Sequence, residues 1–326
     1  MLNPAIERAY QILDGAVPDR SVFEELSRLR GDDILDLLSL ASKVRNRFAG
    51  GFHACTIMNA KSGMCGEDCR FCSQSSRHDT DIERFPLAGT DEMVARAGEA
   101  YAAGVESFGI VTSGTGYQKV TAEFRRILDA IDAIHDAYPG RNVCATLGHL
   151  SEETARELAR HGISHYNINL QTNPSKYRDL VASTHGVEDR IATIRLLKKN
   201  GVKVCAGGIF GLGESREDRL EMALALRGLD ADIIPLNVLI PIPGTPLADR
   251  EPATPAETAV AVALFRLVHP AKTIKLAAGR ETRMKDFQGL LMLAGANGII
   301  TGGYLTTRGR KVRDDLDFIR DLGTFG

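Results

Sequence analysis

The sequence predicts an α/β fold of the (β/α)8 TIM-barrel type, with an N-terminal helical extension over 1–50 and the barrel over 51–326. Three observations predict it. Short, β-rich apolar runs alternate with longer amphipathic stretches once Gly50-Gly51 is passed. Eight such runs occur, the size and rhythm of a closed barrel. No glycine-rich phosphate turn follows the first run, as an open doubly wound sheet would usually provide.

In the first fifty residues "SVFEELSRL" and "DDILDLLSLASKVRNRF" carry apolar residues at helical spacing, so this segment packs as helices outside the barrel. Strands are then expected at 53–59 (HACTIMN), 107–113 (SFGIVTS), 142–148 (NVCATLG), 164–170 (SHYNINL), 202–210 (VKVCAGGIF), 233–240 (IIPLNVLI), 273–279 (TIKLAAG) and 298–302 (GIITG). Helical patterns such as "EFRRILDAIDAIHDAY" and "VEDRIATIRLLKKNG" lie between most of them, several ending in glycine, a common helix stop. Reactive groups of a barrel sit at the C-terminal ends of its strands, which puts the loop after the first strand on the active face.

Composition narrows the class. Of 326 residues, 44% are hydrophobic and 25% charged, as in soluble globular proteins. With 40 basic against 42 acidic residues the net charge is -2, so nothing points to nucleic acid or an anionic membrane. The polar start excludes a signal peptide and no apolar run approaches the ~18 residues of a membrane span. The expected location is cytoplasmic, where clustered cysteines read as metal ligands rather than disulfides.

Half of the six cysteines lie in "MCGEDCRFC", residues 64–72, as Cys65, Cys69 and Cys72. Thiolates suit zinc or iron–sulfur clusters. A structural zinc site needs four ligands, completed here by His78 or a distant cysteine. Three thiolates on one turn, with the aromatic Phe71 before the last, instead suit a four-iron cube whose remaining iron stays open to a small molecule. Elsewhere, polar residues interrupt apolar strands. Asn237 stands alone in "IIPLNVLI", Asn167 and Asn169 share one face of "YNINL", and Arg280 ends another strand. Singly, each reads as a satisfied core group; together they favour a polar pocket in the lumen. Arg190 by itself reads as a helix-surface charge, and Cys144 and Cys205 as small buried hydrophobes.

The stretch "MNAKSGMCGEDCRFCSQSSRH" resembles the biotin synthase family of radical S-adenosylmethionine (SAM) enzymes. The similarity continues through "YNINLQTNPSKY", "VKVCAGGIFGLGE", "NVLIPIPGTPLAD" and "LAAGRE…AGAN", over nearly the whole barrel. The resemblance implies that Cys65, Cys69 and Cys72 hold a 4Fe-4S cluster that reduces SAM to methionine and a 5′-deoxyadenosyl radical. That radical removes hydrogen from unactivated carbon, and sulfur from an auxiliary cluster fills the position. It further implies that Phe71, Asn169, Gln171 and Arg190 serve SAM, with Arg190 on its carboxylate and Asn169 near its ribose and the substrate. Asn167 and Asn237 match residues holding a cyclic urea. The family's auxiliary 2Fe-2S cluster is held by three cysteines and an arginine. Cys144 and Cys205 match two of those cysteines, and Arg280 is matched to the arginine. The third cysteine position is Gly109, and Cys55 on the neighbouring strand is the candidate replacement; a variant cluster is the alternative. Ile168, Gln171 and Asn173 stand where the family has histidine, aspartate and serine.

The implied activity is that of a sulfurtransferase converting dethiobiotin to biotin, fed by a low-potential donor such as flavodoxin or ferredoxin, in a homodimer. Three rivals remain at this stage. One is a lipoyl synthase acting on an octanoylated carrier protein. Another is a radical SAM enzyme that has lost sulfur insertion. The last is a non-catalytic iron–sulfur or zinc protein.

Overall fold

The computed structural model describes residues 2–307 and 309–325. Eight parallel strands form the barrel: His53–Lys61, Ser107–Thr112, Asn142–Thr146, His165–Asn167, Lys203–Cys205, Ile233–Val238, Thr273–Leu276 and Gly298–Thr301. Each pairs with the next, and the first pairs with the last, so the sheet closes on itself. The fourth and fifth strands are shorter than the apolar runs that announced them. The fifth breaks at Ala206-Gly207 and resumes as Gly208–Phe210 against the sixth. The break has a steric cause: a Cβ on Gly207 would stand 1.9 Å from the Pro235 carbonyl oxygen, so only glycine lets the two backbones come this close.

A helix follows each strand, from Thr90–Ala102 after the first to Val312–Leu322 after the last. Ser151, Ser215 and Thr254 open three of them with reciprocal capping boxes, which satisfy amide groups the first turn leaves unpaired. The N-terminal helices Pro4–Ala9, Arg20–Ser27 and Asp33–Phe48 share one continuous core with the barrel. Asp33–Phe48 lies on helix Pro255–Val268, which is therefore covered on both sides and buried from Thr258 through Val268. An apolar helix without a polar face needs such a double cover. Arg266 at its end is buried but satisfied, donating to the carbonyls of Gly295, His269, Pro270 and Lys272 at 2.8–3.0 Å. No helix among the described residues is long and apolar enough to cross a membrane.

Candidate active site

The first strand delivers the chain into the cysteine loop at the C-terminal face. Backbone bonds close that loop: Cys65 N–H donates to Gln74 O (3.1 Å), Ser76 N–H to Cys65 O (2.8 Å) and Cys72 N–H to Cys69 O (2.9 Å). Cys65, Cys69 and Cys72 are unbridged and half-buried. Their crowding is visible in their acidity. Burial, helped by the neighbouring Cys72, Cys65 and Glu67 against the pull of Arg190, pushes the Cys69 thiol up to about 12. Burial also raises Cys72. A coordinating metal centre, by contrast, deprotonates such thiols outright. Among the described residues, no three His, Cys, Asp or Glu side chains converge on a single ion. His78 directs Nδ1 to the Cys72 carbonyl at 2.9 Å. Three thiols on one loop suit a cluster that spreads its ligands over several irons.

A polar brace that the sequence reading missed surrounds this loop. Asp68 accepts from the Ser183 hydroxyl and from the Ser183 and Thr184 amides, the amides at 2.9 and 3.2 Å; against burial these bonds, the hydroxyl's first, hold its carboxyl well below the usual range. Glu67 accepts from His185 Nδ1 (2.9 Å), and His185 Nε2 receives the Tyr177 hydroxyl (2.9 Å) and Arg190 Nη2 (3.2 Å). Arg190 also donates from Nε to Tyr177 (2.5 Å) and from Nη1 to the Asn169 carbonyl (3.0 Å). It is no loose surface charge: every arm is engaged, and its position is set by Tyr177 and His185. The acidic pair between two cysteines was the available sequence signal, since carboxylates beside a metal loop need partners. Phe71 packs against the core beneath the loop.

Deeper in the lumen lies a chamber of about 80 Å³ whose walls include Cys55, Cys144, Cys205, His165, Asn167 and Lys275. Carried by the first, third and fifth strands, the three remaining cysteines thus line one chamber. Lys275 Nζ donates to Cys55 Sγ at 3.3 Å, Asn167 Nδ2 approaches Cys205 Sγ at 3.4 Å, and His165 Nδ1 lies 3.3 Å from Cys144 Sγ. Burial pushes Cys205 up to about 11, with Lys275 and Asn167 pulling the other way, and raises Cys144 as well. Burial, Lys275 and Lys203 bring His165 down to about 3, so it is neutral. Lys275 is only 4% exposed. Burial works against its charge, and it is the ionised form of the Cys55, Cys205 and Cys144 thiols that outweighs this and holds it above the ordinary lysine value.

Arg280, matched to the family's arginine from the sequence, is not part of the chamber wall. Its guanidinium pairs with Asp315 (2.5 Å) and Glu281 (2.7 Å) and donates to Gln288 (2.8 Å). The seventh strand ends at Leu276, and the left-handed turn at Gly279 (φ 82°) carries Arg280 away toward helix Val312–Leu322. The cation in the lumen is Lys275, an isolated charge inside "TIKLAAG" that carried the same signal as Asn237 in its own strand. Gly109 does line the chamber. A Cβ there would stand 3.1 Å from Ile57 Cγ2 and 3.9 Å from Cys144 Cβ, so Ile57 fills the space beside the glycine. Cys55 reaches the chamber from the Lys275 side.

The asparagines divide. Asn167 faces the chamber and also donates to Asn169 Oδ1 at 3.2 Å. Asn169 Oδ1 accepts from Gly207 N–H (3.0 Å) at the strand break. Asn237 is absent from the chamber wall; it donates to Gly208 O and accepts from Ala278 N–H, both at 3.0 Å, stitching the broken fifth strand to the end of the seventh. Asn173 accepts from Ser175 N–H and donates to Asp218, as a cap does. Ile168 is core, 3% exposed. Gln171 sits at a left-handed φ of 70°, and its buried Oε1 has no partner among the described residues. An orphaned buried acceptor beside the Asn169–Arg190 contact suits a ligand hydroxyl.

A thiol loop at the mouth of a (β/α)8 barrel, braced by Glu67, His185 and Arg190, defines the class: the Radical SAM superfamily profile matches residues 61–226, and the chain is a member. A second profile, the Biotin and Thiamin Synthesis associated domain, matches residues 235–324. Within that superfamily the chain belongs to the biotin synthase family. It is 56% identical over 326 residues to the biotin synthase of Chlorobium phaeovibrioides, covering 99% of this chain and 98% of the relative. The biotin synthase of Chlorobium limicola is 56% identical over 329 residues, covering 100% and 98%. Among solved structures, methylornithine synthase superposes with a TM-score of 0.84 at 18% identity, over 97% of this chain and 96% of that one. An FeFe-hydrogenase maturase from Carboxydothermus hydrogenoformans gives 0.81 at 16% identity, over 98% and 78%. These two share the fold. Membership implies a 4Fe-4S cluster and SAM, which the crowded thiols of the mouth and the orphaned Gln171 acceptor fit.

Proposed function

We propose that the protein converts dethiobiotin to biotin, inserting a sulfur atom between two carbons by radical chemistry. The observation that carries this reading is the pair of thiol groups in one lumen. Cys65, Cys69 and Cys72 stand at the mouth, while Cys55, Cys144 and Cys205 gather around Lys275 below. When bound, the 4Fe-4S cluster supplies the electron that splits SAM, and the auxiliary cluster supplies sulfur.

Each residue has a task in this reading. Cys65, Cys69 and Cys72 hold the first cluster and leave one iron without a protein ligand. Arg190, positioned by Tyr177 and His185, presents positive charge beside Cys69 to the SAM carboxylate. Gln171 Oε1 accepts from a SAM hydroxyl. Asn167 and Asn169 order the polar end of the substrate, and Asn237 supports them through the strand break. In the lower chamber Cys55 takes the ligand place that Gly109 leaves, alongside Cys144 and Cys205. Lys275 neutralises their thiolates, whereas Arg280, matched from the sequence to a ligand of the auxiliary cluster, pairs with Asp315 and Glu281. Its ammonium, three thiolates and neutral His165 make this a cluster site of changed composition rather than a copy of the family's 2Fe-2S site. Reduced thiols in both sets suit the cytoplasm, with a flavodoxin or ferredoxin as electron donor.

The test is anaerobic reconstitution with iron and sulfide, followed by SAM, a strong reductant and dethiobiotin. Two C–H bonds give way to two C–S bonds, so two hydrogens leave, one with each 5′-deoxyadenosine. The expected products are biotin and two equivalents of 5′-deoxyadenosine. SAM cleavage without biotin would reject sulfur insertion into dethiobiotin; no 5′-deoxyadenosine at all would reject the enzyme.

A further inference from the structure

The lower chamber is too small to hold dethiobiotin. It measures about 80 Å³, whereas sites for organic ligands run to roughly 300–1,000 Å³. Two neighbouring side chains, Tyr304 and Leu305, close it from the mouth side, where they share its wall with Cys55 and Cys205. They belong to the turn that follows the last strand, Gly298–Thr301. Burial, then Cys205, Cys55 and Cys72, raises the Tyr304 phenol above its ordinary value. Tyr304 lines the lower chamber with Cys55 and Cys205, and Thr306 in the same turn meets Ser73 beside Cys72, so the turn spans the space between the two thiol groups.

The turn is built to move as a unit. Tyr304 and Thr307 exchange two backbone hydrogen bonds of 2.9 Å, which keep the tip rigid. Gly302 (φ 75°) and Gly303 precede it, a flexible pair at its root. Leu305 holds a left-handed φ of 51°, a conformation that a branched side chain adopts only under constraint. Thr306 Oγ1 meets Ser73 Oγ at 3.1 Å, next to Cys72, so the cysteine loop latches the tip. There is also space to move into. A groove of about 1000 Å³ runs alongside, walled by Gly302, Gly303 and Thr306 on one side and by Ile82, Phe85 and Leu87 on the other.

We propose that Tyr304 is a substrate-positioning gate. In the conformation described here its ring and Leu305 hold the substrate's volume; dethiobiotin displaces them by swinging turn 304–307 about Gly302-Gly303 toward the groove, and Tyr304 then packs over the bound molecule. This rests on the dethiobiotin reading above. The gate has a kinetic consequence. A substrate that must displace a side chain binds more weakly than the open site allows, by the fraction of time the gate is open. Once seated, it is covered, so hydrogen abstraction and sulfur insertion stay coupled.

The test uses the cluster-loaded protein with SAM. Hydrogen exchange of the 303–307 amides is followed with and without dethiobiotin, and dethiobiotin binding is measured by equilibrium dialysis in wild type, Tyr304→Phe and Tyr304→Ala. Dethiobiotin is expected to change exchange at 303–307 about fivefold or more, since those amides leave one environment for another. Tyr304→Ala is expected to bind dethiobiotin about threefold or more tighter, while releasing several-fold more 5′-deoxyadenosine per biotin. Tyr304→Phe, which keeps the ring, is expected to stay near wild type in both. A merely structural tyrosine would lower binding and turnover together, without changing their ratio. Unchanged exchange on substrate binding, or wild-type affinity and coupling in Tyr304→Ala, overturns the gate while leaving the reaction standing. Failure of the wild type itself to bind dethiobiotin, with SAM still cleaved, removes the substrate reading and the gate with it.

Discussion

Replacing Lys275 by methionine separates the account from its nearest rivals, because the same change is expected to act with opposite sign on the loaded and metal-free protein. With the auxiliary cluster in place, Lys275 faces thiolates, the nearest being Cys55 Sγ at 3.3 Å. A full charge pair at that distance is worth about 5 kcal/mol at an effective dielectric of ~20. Burial of the ammonium takes several kcal/mol back, leaving a net of about 2–3 kcal/mol in favour of cluster retention. That corresponds to roughly 30- to 150-fold weaker holding of the auxiliary iron in Lys275→Met. Without metal, burial keeps Cys144 and Cys205 protonated at neutral pH, so the ammonium is poorly compensated. A methionine of similar length is then expected to stabilise the metal-free barrel by about 1–4 kcal/mol, raising its melting temperature by a few degrees. The assay is anaerobic purification with iron and acid-labile sulfide counted per chain, Mössbauer spectra to separate the two clusters, and thermal unfolding of the stripped protein. Lys275→Met should lose auxiliary iron and biotin formation while still cleaving SAM, and Lys275→Arg should retain part of both. Full auxiliary iron in Lys275→Met, or a lower melting temperature of its stripped form, would refute the reasoning.

Three further outcomes follow from the same geometry. Arg280→Met leaves Asp315, 0% exposed, without its buried partner; it should cost about 3–5 kcal/mol of stability in denaturant titration, yet leave iron per surviving chain unchanged. Gln171→Leu removes an orphaned acceptor, so the metal-free protein should gain about 1–3 kcal/mol, while the KM for SAM rises about tenfold in a 5′-deoxyadenosine assay, one hydrogen bond being worth ~1.4 kcal/mol. Asp68→Asn tests the brace through pH. The folded carboxyl lies below its ordinary value, so its contribution is complete above the unfolded value of about 4 and fades as pH falls toward the folded one. Denaturation curves should show a loss of about 1–2 kcal/mol at neutral pH, discounted for partial exposure, and a gap that narrows below pH ~4.

The barrel was legible in the sequence because eight apolar runs separated by helical patterns can close in few other ways. The cysteine loop was legible because three thiols within one turn have few structural uses. What stayed hidden depends on where a strand ends in space. "VKVCAGGIF" reads as one strand; its break arises from the approach of Pro235, a residue on another strand. Asn237 reads as lumenal until the break gives its amide two backbone partners. Lys275 and Arg280 both lie in one basic, apolar stretch, and choosing between them requires knowing that the strand stops at Leu276 and the chain turns at Gly279. The meeting of Cys55 with Cys144 and Cys205 was reachable from strand order alone. The Glu67–His185–Arg190 brace was not, since Glu67 lies more than a hundred residues before its two partners.

The central claim is that one lumen holds two thiol-bound clusters and that the lower one gives up sulfur to dethiobiotin. The direct test loads the protein with isotopically heavy sulfide, removes the excess, and allows a single turnover with SAM, reductant and dethiobiotin. The expected product is biotin carrying the heavy isotope, no more than one per chain, with none from Cys55→Ala despite continued SAM cleavage. Biotin carrying only light sulfur, or heavy biotin made equally well by Cys55→Ala, would contradict it.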